Sequence, residues 1–258
     1  MRAWTIALLT VFLSGCNASP GSPLDASGFS APAPPHALVP KAITIGSFNS
    51  ARGGVESLEA SQLAGLNAAI QSMFHPKFRY TGTLTPKFLR SIKVMVIGVA
   101  ASVSGSEIRP LSSKEKSALL SFAKGGGAVI IFADNSDFQK ADNSLLTPFG
   151  LGAGGKLDGG VTATWVGNVS QNPLAHGPAG DSQELDTFYP GWFKKLGAAR
   201  DLADLPGSGE PAAAYLQPGA LGTKSGPLIF FSDSSLMLDG TRTQNDQTAI
   251  LNAIALTP

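Results

Sequence analysis

The 258-residue chain has one cysteine, three histidines and no excess of either charge, with 19 Lys and Arg against 18 Asp and Glu. Each shortage removes a class of function. A single cysteine gives no disulfide framework, so stability has to come from an apolar core. A near-neutral, unclustered charge argues against nucleic acid or an anionic lipid surface as the main partner. No stretch reads G-x-S-x-G, the nucleophile elbow of serine hydrolases. None reads H-E-x-x-H or gathers histidines as a zinc site would need, so no metal or cofactor is expected. There is no internal repeat. The apolar run Ala3–Leu13 has eleven residues, well short of the ~20 that a membrane-spanning helix requires.

That short run has another use. Arg2 supplies a positive start, the apolar stretch follows, and Leu13-Ser14-Gly15-Cys16 closes it with small residues before the cysteine. This is the layout of a secretory signal, and it resembles the bacterial lipoprotein signal, in which cleavage precedes a lipid-bearing cysteine. Residues 1–15 are then a signal peptide and Cys16 a lipidation site, the chain's link to a membrane. Two or more acyl chains hold a protein stably where one does not. Loss of Arg2 takes the formal charge from +1 to 0. The expected location is the bacterial cell envelope. Asn17, in place of an aspartate, favours the periplasmic face of the outer membrane if the source is Gram-negative.

Residues 16–40 carry the lipidated cysteine and a tether rich in Pro, Ser, Ala and Gly, without apolar period. His36 lies inside it. From Lys41 to Pro258 the pattern is that of one α/β domain. "AITIGSF" (42–48), "KVMVIGVA" (93–100), "AVIIFAD" (128–134) and "PLIFFSD" (227–233) are continuous apolar runs, the type buried on both faces of a parallel sheet. "FRYTG" (78–82) is a further short strand. Leu58, Leu63, Leu66, Ile70 and Phe74 have helical spacing, which predicts an amphipathic helix over 56–74. Thr85-Pro86 opens a short helix. Ser112 and Glu115 form a capping box for a helix stopped by Gly125. A last helix covers 245–256. Strands alternating with helices imply a doubly wound, mostly parallel α/β sheet. The Gly-rich stretch 151–215 breaks the alternation and reads as a partly antiparallel elaboration, with strands near "VTATWVG" and "AAAYLQ".

"GLGAGGK" (150–156) satisfies G-x-G-x-x-G and comes near a P-loop. Both motifs need a strand before and a helix after, so that backbone N–H groups meet phosphate. Neither flank fits, and Leu157 stands where a P-loop needs a hydroxyl, so a flexible turn is expected. His75, before Pro76 at a helix end, suits a capping role; His176 lies in a turn-like segment. What remains is positional. Ligands of open α/β sheets bind outside the carboxyl ends of the strands. The polar residues just past the apolar runs are Asn49 and Arg52, Ser104 to Glu107, Asp134 and Asn135, and Asp233 and Ser234. They form a candidate ligand or partner rim. Asp134 and Asp233 end their strands alike and suit cation binding or acid–base chemistry, although capping is the commoner use of Asp at such places.

The order of "LTPKFLRSIKVMVIGVA", "LSSKEKSALLSFAKGGGAVIIFAD", "NSLLTPFGL", "NPLAHGP" and "GPLIFFSDSSLMLD…NDQTAILNAIA" resembles the class I glutamine-amidotransferase-like superfamily. The likeness is to the non-catalytic branch with gliding-motility-type ABC-transport auxiliary proteins and uncharacterised envelope domains. Amidotransferases of that fold use a cysteine on a strand–helix elbow with a His–Glu pair. The equivalent position here falls at "FADNSD", which has no cysteine. The resemblance therefore implies a flavodoxin-like scaffold without glutamine hydrolysis, binding a sugar, an envelope component or a protein.

Two functions follow as expectations. One is a lipid-anchored envelope binding or interaction module, accessory to a transporter, with an envelope protein or glycan as partner. The other is an envelope hydrolase using Asp134, Asp233 or Glu107, with or without a divalent metal.

Overall fold

The computed structural model describes residues 43–99 and 109–257; Cys16, the tether, Ser104 and Glu107 lie outside the described residues. The first half alternates as expected: β1 (Thr44–Phe48), α1 (Ser50–Gly53), α2 (Ala64–Phe74), β2 (Lys77–Thr81), α3 (Pro86–Leu89), β3 (Val94–Ile97), α4 (Ser113–Lys124), β4 (Ala128–Phe132) and α5 (Gln139–Leu146). The second half runs β5 (Gly152–Gly154), β6 (Gly160–Trp165), β7 (His176–Gly177), β8 (Gly180–Asp181), β9 (Leu185–Phe188), β10 (Trp192–Lys195), β11 (Arg200–Asp204), β12 (Pro211–Leu216), β13 (Leu228–Phe231) and α6 (Gln244–Ala255).

Nine strands make one sheet in the order β2-β1-β3-β4-β13-β12-β11-β6-β9. The strands from β2 to β13 pair in parallel; those from β13 to β9 pair antiparallel. The Gly-rich elaboration thus extends the main sheet. The chain goes outward from β1 to β2 and returns to the other side of β1 with β3. That reversal is the topological switch point where flavodoxin-like sheets place ligands.

The central runs are apolar throughout because successive side chains face opposite layers. Val94 and Val96 pack with Ile130, Ile70 and Ile250 on one face, while Met95 and Ile97 pack with Ile131, Leu119 and Phe230 on the other. Phe132 and Phe231, opposite each other in the β4–β13 register, stack with centroids 4.8 Å apart. β2, at the sheet's edge, keeps Lys77, Arg79 and Tyr80 exposed.

The helix starts follow local chemistry. Thr85 Oγ1 accepts from Phe88 N at 3.2 Å with Pro86 in the first turn of α3. Ser112 and Glu115 form the expected capping box on α4, and Thr243 with Asp246 forms a second one on α6. Two expectations need correction. The helix predicted over 56–74 begins only at Ala64. Upstream, two 3-10 turns, Gly54–Glu56 and Ser61–Leu63, fold Ser57 and Leu58 inward, and the Ser57 hydroxyl donates to Phe48 O at 2.7 Å. Leu58 keeps the apolar spacing but plugs the core from a loop. Secondly, "GLGAGGK" is not simply a turn, since β5 within it pairs antiparallel with β10. Gly155, at φ 75°, lies against Trp192 so closely that a Cβ would stand 1.9 Å from its ring. These glycines serve close packing.

Candidate functional site

The strand ends form two linked groups of polar residues. At the β4 and β13 ends, Ser234 Oγ donates to Asp134 Oδ2 at 2.5 Å. Asp134 Oδ1 accepts from Asn135 N at 2.7 Å and from Asn135 Nδ2 at 2.8 Å. Asn135 caps the following 3-10 turn through Asp137 N, and its amide also donates to Tyr189 O at 3.0 Å. Asp233 caps the turn Ser234–Met237: Oδ1 accepts from Ser235 N at 2.8 Å, and Oδ2 accepts from Ser235 Oγ at 2.7 Å. Asp233 Oδ2 also accepts from Phe188 N at 2.5 Å. Capping is thus what Asn135 and Asp233 do, and the same side chains tie the end of β9 to the rim.

The β1 end is different. Asn49 precedes α1 without a side-chain cap, and its buried Oδ1 has no hydrogen-bond partner. Arg52 is committed to structure: its guanidinium lies 5.0 Å from the Phe48 ring centroid, donates to Arg109 O at 3.2 Å and stands 3.7 Å from Glu115 Oε2. Burial raises the Glu115 carboxyl, but Ser112 (backbone and hydroxyl), Leu84 N–H and Arg52 outweigh it and hold Glu115 below its usual range.

Sequence reasoning missed two residues that stand among these. Glu56, 8% exposed, lies at the switch point over Gly98, where a Cβ would come within 2.5 Å of its Oε2. Asp142, fully buried on α5, accepts from Asp134 N at 3.3 Å. Burial pushes Glu56 well above the usual carboxylate range, against hydrogen bonding with the Ser234 side chain and the Val99 backbone, and the charges of Asp134 and Asp142 push it further. Burial and the Asp134 charge do the same for Asp142. Burial also raises Asp134, opposed by Ser234 and Asn135. Asp233 is pushed up to about 7 by burial, against its bonds from Ser235 and Phe188, with the Asp134 charge adding to the rise. The signal for Asp142 was its place beside Ala141, Leu145 and Leu146 on the apolar face of α5; that for Glu56 was its position just past β1.

Asp134 and Asp233 are occupied by hydrogen bonds, whereas Glu56 Oε2 and Asp142 Oδ1 are buried without a partner. Ser234 and Asp134 make an internal pair in which the hydroxyl donates to the carboxyl. Ser234 is 3% exposed. A nucleophile elbow is a sharp, strained turn, but Asp134, at the corresponding strand end, is not among the positive-φ residues. Among the described non-glycine residues, positive φ occurs only at His75 and Tyr189. His75, at φ 46°, caps α2 through its backbone N–H to Gln71 O. His176 is exposed and pairs with Asp181 at 2.5 Å, away from any nucleophile. No group of three or more His, Cys, Asp or Glu suited to a metal ion occurs among the described residues.

What the rim offers to solvent is aromatic. Phe188 and Tyr189 are 47% and 40% exposed and meet edge to face, with centroids 4.6 Å apart. Tyr189 sits at φ 58°, a conformation that costs a bulky L-residue about 1–2 kcal/mol. Its N–H donates to Gly159 O at 2.8 Å, and its carbonyl accepts from Asn135. Lys156 stands 5.9 Å from the Tyr189 ring centroid and pairs with Asp137 at 2.6 Å.

No family model matches the chain, and no curated protein matches it in sequence. Solved structures do match in fold. The mmIFT52 N-terminal domain aligns with TM-score 0.62 and 14% identity over 83% of this chain and 96% of its own. A ThuA-like protein from Bacteroides uniformis aligns with TM-score 0.52 and 13% identity over 89% and 95%. PurLQS from Thermotoga maritima aligns with TM-score 0.52 and 10% identity over 83% and 99%. The chain shares the α/β fold of these proteins, with a flavodoxin-like, mostly parallel sheet.

Proposed function

We propose that this protein is a lipid-anchored binding module of the bacterial cell envelope that holds a glycan at the carboxyl-end rim of its sheet. The anchor is Cys16, and the tether of residues 17–40 gives the domain reach from the membrane. The observation that carries the binding reading is the Phe188–Tyr189 pair. Exposed aromatic rings present flat apolar faces to solvent, which suits the C–H face of a sugar ring. Left-handed backbone at a bulky residue persists only where the surroundings impose it, and such strain clusters at ligand clamps. Here Asn135, Asp233 and Gly159 impose it. Lys156 and Asp137 supply charged hydrogen-bonding groups beside the rings, the mix of apolar face and few polar groups that ligand sites use.

The hydrolase reading is the weaker one. The strand-end carboxyls are buried, hydrogen-bonded to one another's neighbours and held back from ionisation, and the Ser234 and Ser235 hydroxyls among them are buried and donate to Asp134 and Asp233. An accessory role beside a transporter is compatible with a tethered binder and rests on the sequence resemblance alone.

The test is binding of purified protein to an array of envelope glycans and peptidoglycan fragments. Tyr189→Ala and Phe188→Ala each lower affinity at least tenfold, with unfolding midpoints near that of the parent; Val166→Ala, elsewhere on the surface, changes nothing. Equal binding by the Tyr189 and Phe188 variants, or no glycan bound at all, overturns the reading. Radiolabelled fatty acid incorporated by the parent and not by Cys16→Ser establishes the anchor.

A further inference from the structure

A second surface lies on the helix-covered face, outside the rim. α3 and α4 border a groove of about 720 Å³. A smaller cavity of about 270 Å³ continues it, sharing Leu89, Arg90, Ser121 and Phe122. The lining is apolar: Leu89 and Ala118, 1% and 7% exposed, form its floor with the half-buried Phe122. Ser113, Ser117 and Ser121 line the α4 wall at helical i, i+4, i+8 spacing. Arg90, Lys114 and Lys93 stand at its borders.

None of these three cations has an ion-pair partner among the described residues. From residue 82 to residue 127 the one described carboxylate is Glu115, which is buried and already bound by Ser112, Leu84 and Arg52. An apolar trough with three positive charges that no described carboxylate pairs with is thus complementary to an apolar segment that carries negative charge. We infer that the α3–α4 groove docks an acidic amphipathic helix of a partner protein.

The geometry favours a helix over other acidic ligands. The walls are themselves helices, and the i±4 ridge of serines leaves grooves that accept the side chains of a third helix. Small side chains at Ser117, Ser121 and Ala118 allow close backbone approach. α4 has 12 residues, so at ~1.5 Å per residue the trough matches a partner helix of about three turns. Apolar anchors at i, i+3, i+4 and i+7 fill the floor, as in other helix-in-groove docking, and Glu or Asp on the flanks meets Arg90, Lys93 and Lys114. A flat anionic membrane reaches the three charges but not the recessed floor.

A library of displayed 14-residue peptides with helix-favouring backbones, selected on the full chain, provides the test. Enriched peptides are expected to be acidic, with apolar residues at i, i+3, i+4 and i+7. They lose at least tenfold in affinity on the Arg90→Glu/Lys114→Glu double variant and on Ser117→Trp, which fills the trough. They bind Tyr189→Ala as they bind the parent, so failure here and failure of the glycan site are told apart. Enrichment of basic or uncharged peptides, or equal recovery on Ser117→Trp, overturns the inference. So does stronger dependence on Arg90 and Lys114 for phosphatidylglycerol vesicles than for the peptides, which would assign the surface to lipid.

Discussion

Replacing Asp233 by Asn tests the electrostatics of the rim. Asp233 is fully buried, and its carboxyl is pushed from 3.8 to about 7. A group whose folded-state pKa is raised contributes stability that is complete below its unfolded pKa and is lost as pH rises through the folded value. For Asp233 that window runs from about pH 4 to about pH 7. The rise from 3.8 to about 7, which already contains the pull of the Ser235 and Phe188 donors, is worth about 4 kcal/mol at most. Asn cannot ionise. It also turns an NH2 toward Phe188 N or Ser235, which costs about 1–3 kcal/mol at every pH. The variant is therefore less stable than the parent by about 1–3 kcal/mol near pH 4, and the gap narrows by at most about 4 kcal/mol by pH 8. Urea unfolding followed by the fluorescence of Trp165 and Trp192 reads both curves. The Glu56 and Asp142 carboxyls titrate in both proteins, so the difference isolates Asp233. A gap that stays constant from pH 5 to pH 8, or that widens as pH rises, would refute the reasoning, because it would mean that the donors hold Asp233 ionised.

Glu56→Gln keeps the shape of a carboxyl that burial holds neutral. Its stability relative to the parent should climb as pH rises above 4.5, and a parallel pair of stability curves would argue against a raised Glu56. Gly191→Ala puts a Cβ 2.4 Å from Asp134 O; this backbone cannot yield cheaply, so a loss of about 2–3 kcal/mol is expected in chemical denaturation. Thr243→Ala removes half of the α6 capping box, and calorimetry should show a midpoint about 2–4 °C lower, for about 1 kcal/mol lost. Phe132→Ala opens the Phe132–Phe231 stack and should cost about 3–5 kcal/mol; an unfolding free energy within 1 kcal/mol of the parent's would place that ring outside the core.

The parallel half of the sheet was legible because its signals are local. "KVMVIGVA" and "AVIIFAD" show their burial in their own composition, and Thr85, Ser112 and Gly125 mark helix ends within a turn of themselves. The rim was legible in part. Its β4 and β13 residues do meet, since parallel neighbours end together. Arg52 belongs to the same edge but is taken up by Phe48 and Glu115, a partner 63 residues on in the chain.

Composition and short-range pattern alone determined the fold class, the strand–helix alternation of the parallel half and the helix starts at Thr85 and Ser112, because those depend on neighbours in the chain. The tertiary structure decided the rest. It delayed the start of the helix expected over 56–74 to Ala64, because Glu56 and Leu58 are needed in the interior. It made β5 a strand by laying it along β10. It joined Asp134 to Ser234 across 100 residues, and it bent Tyr189 into left-handed backbone through Asn135, 54 residues away. Contacts between distant segments set the burial of a carboxyl and the strain of a turn, and no window of sequence contains both partners.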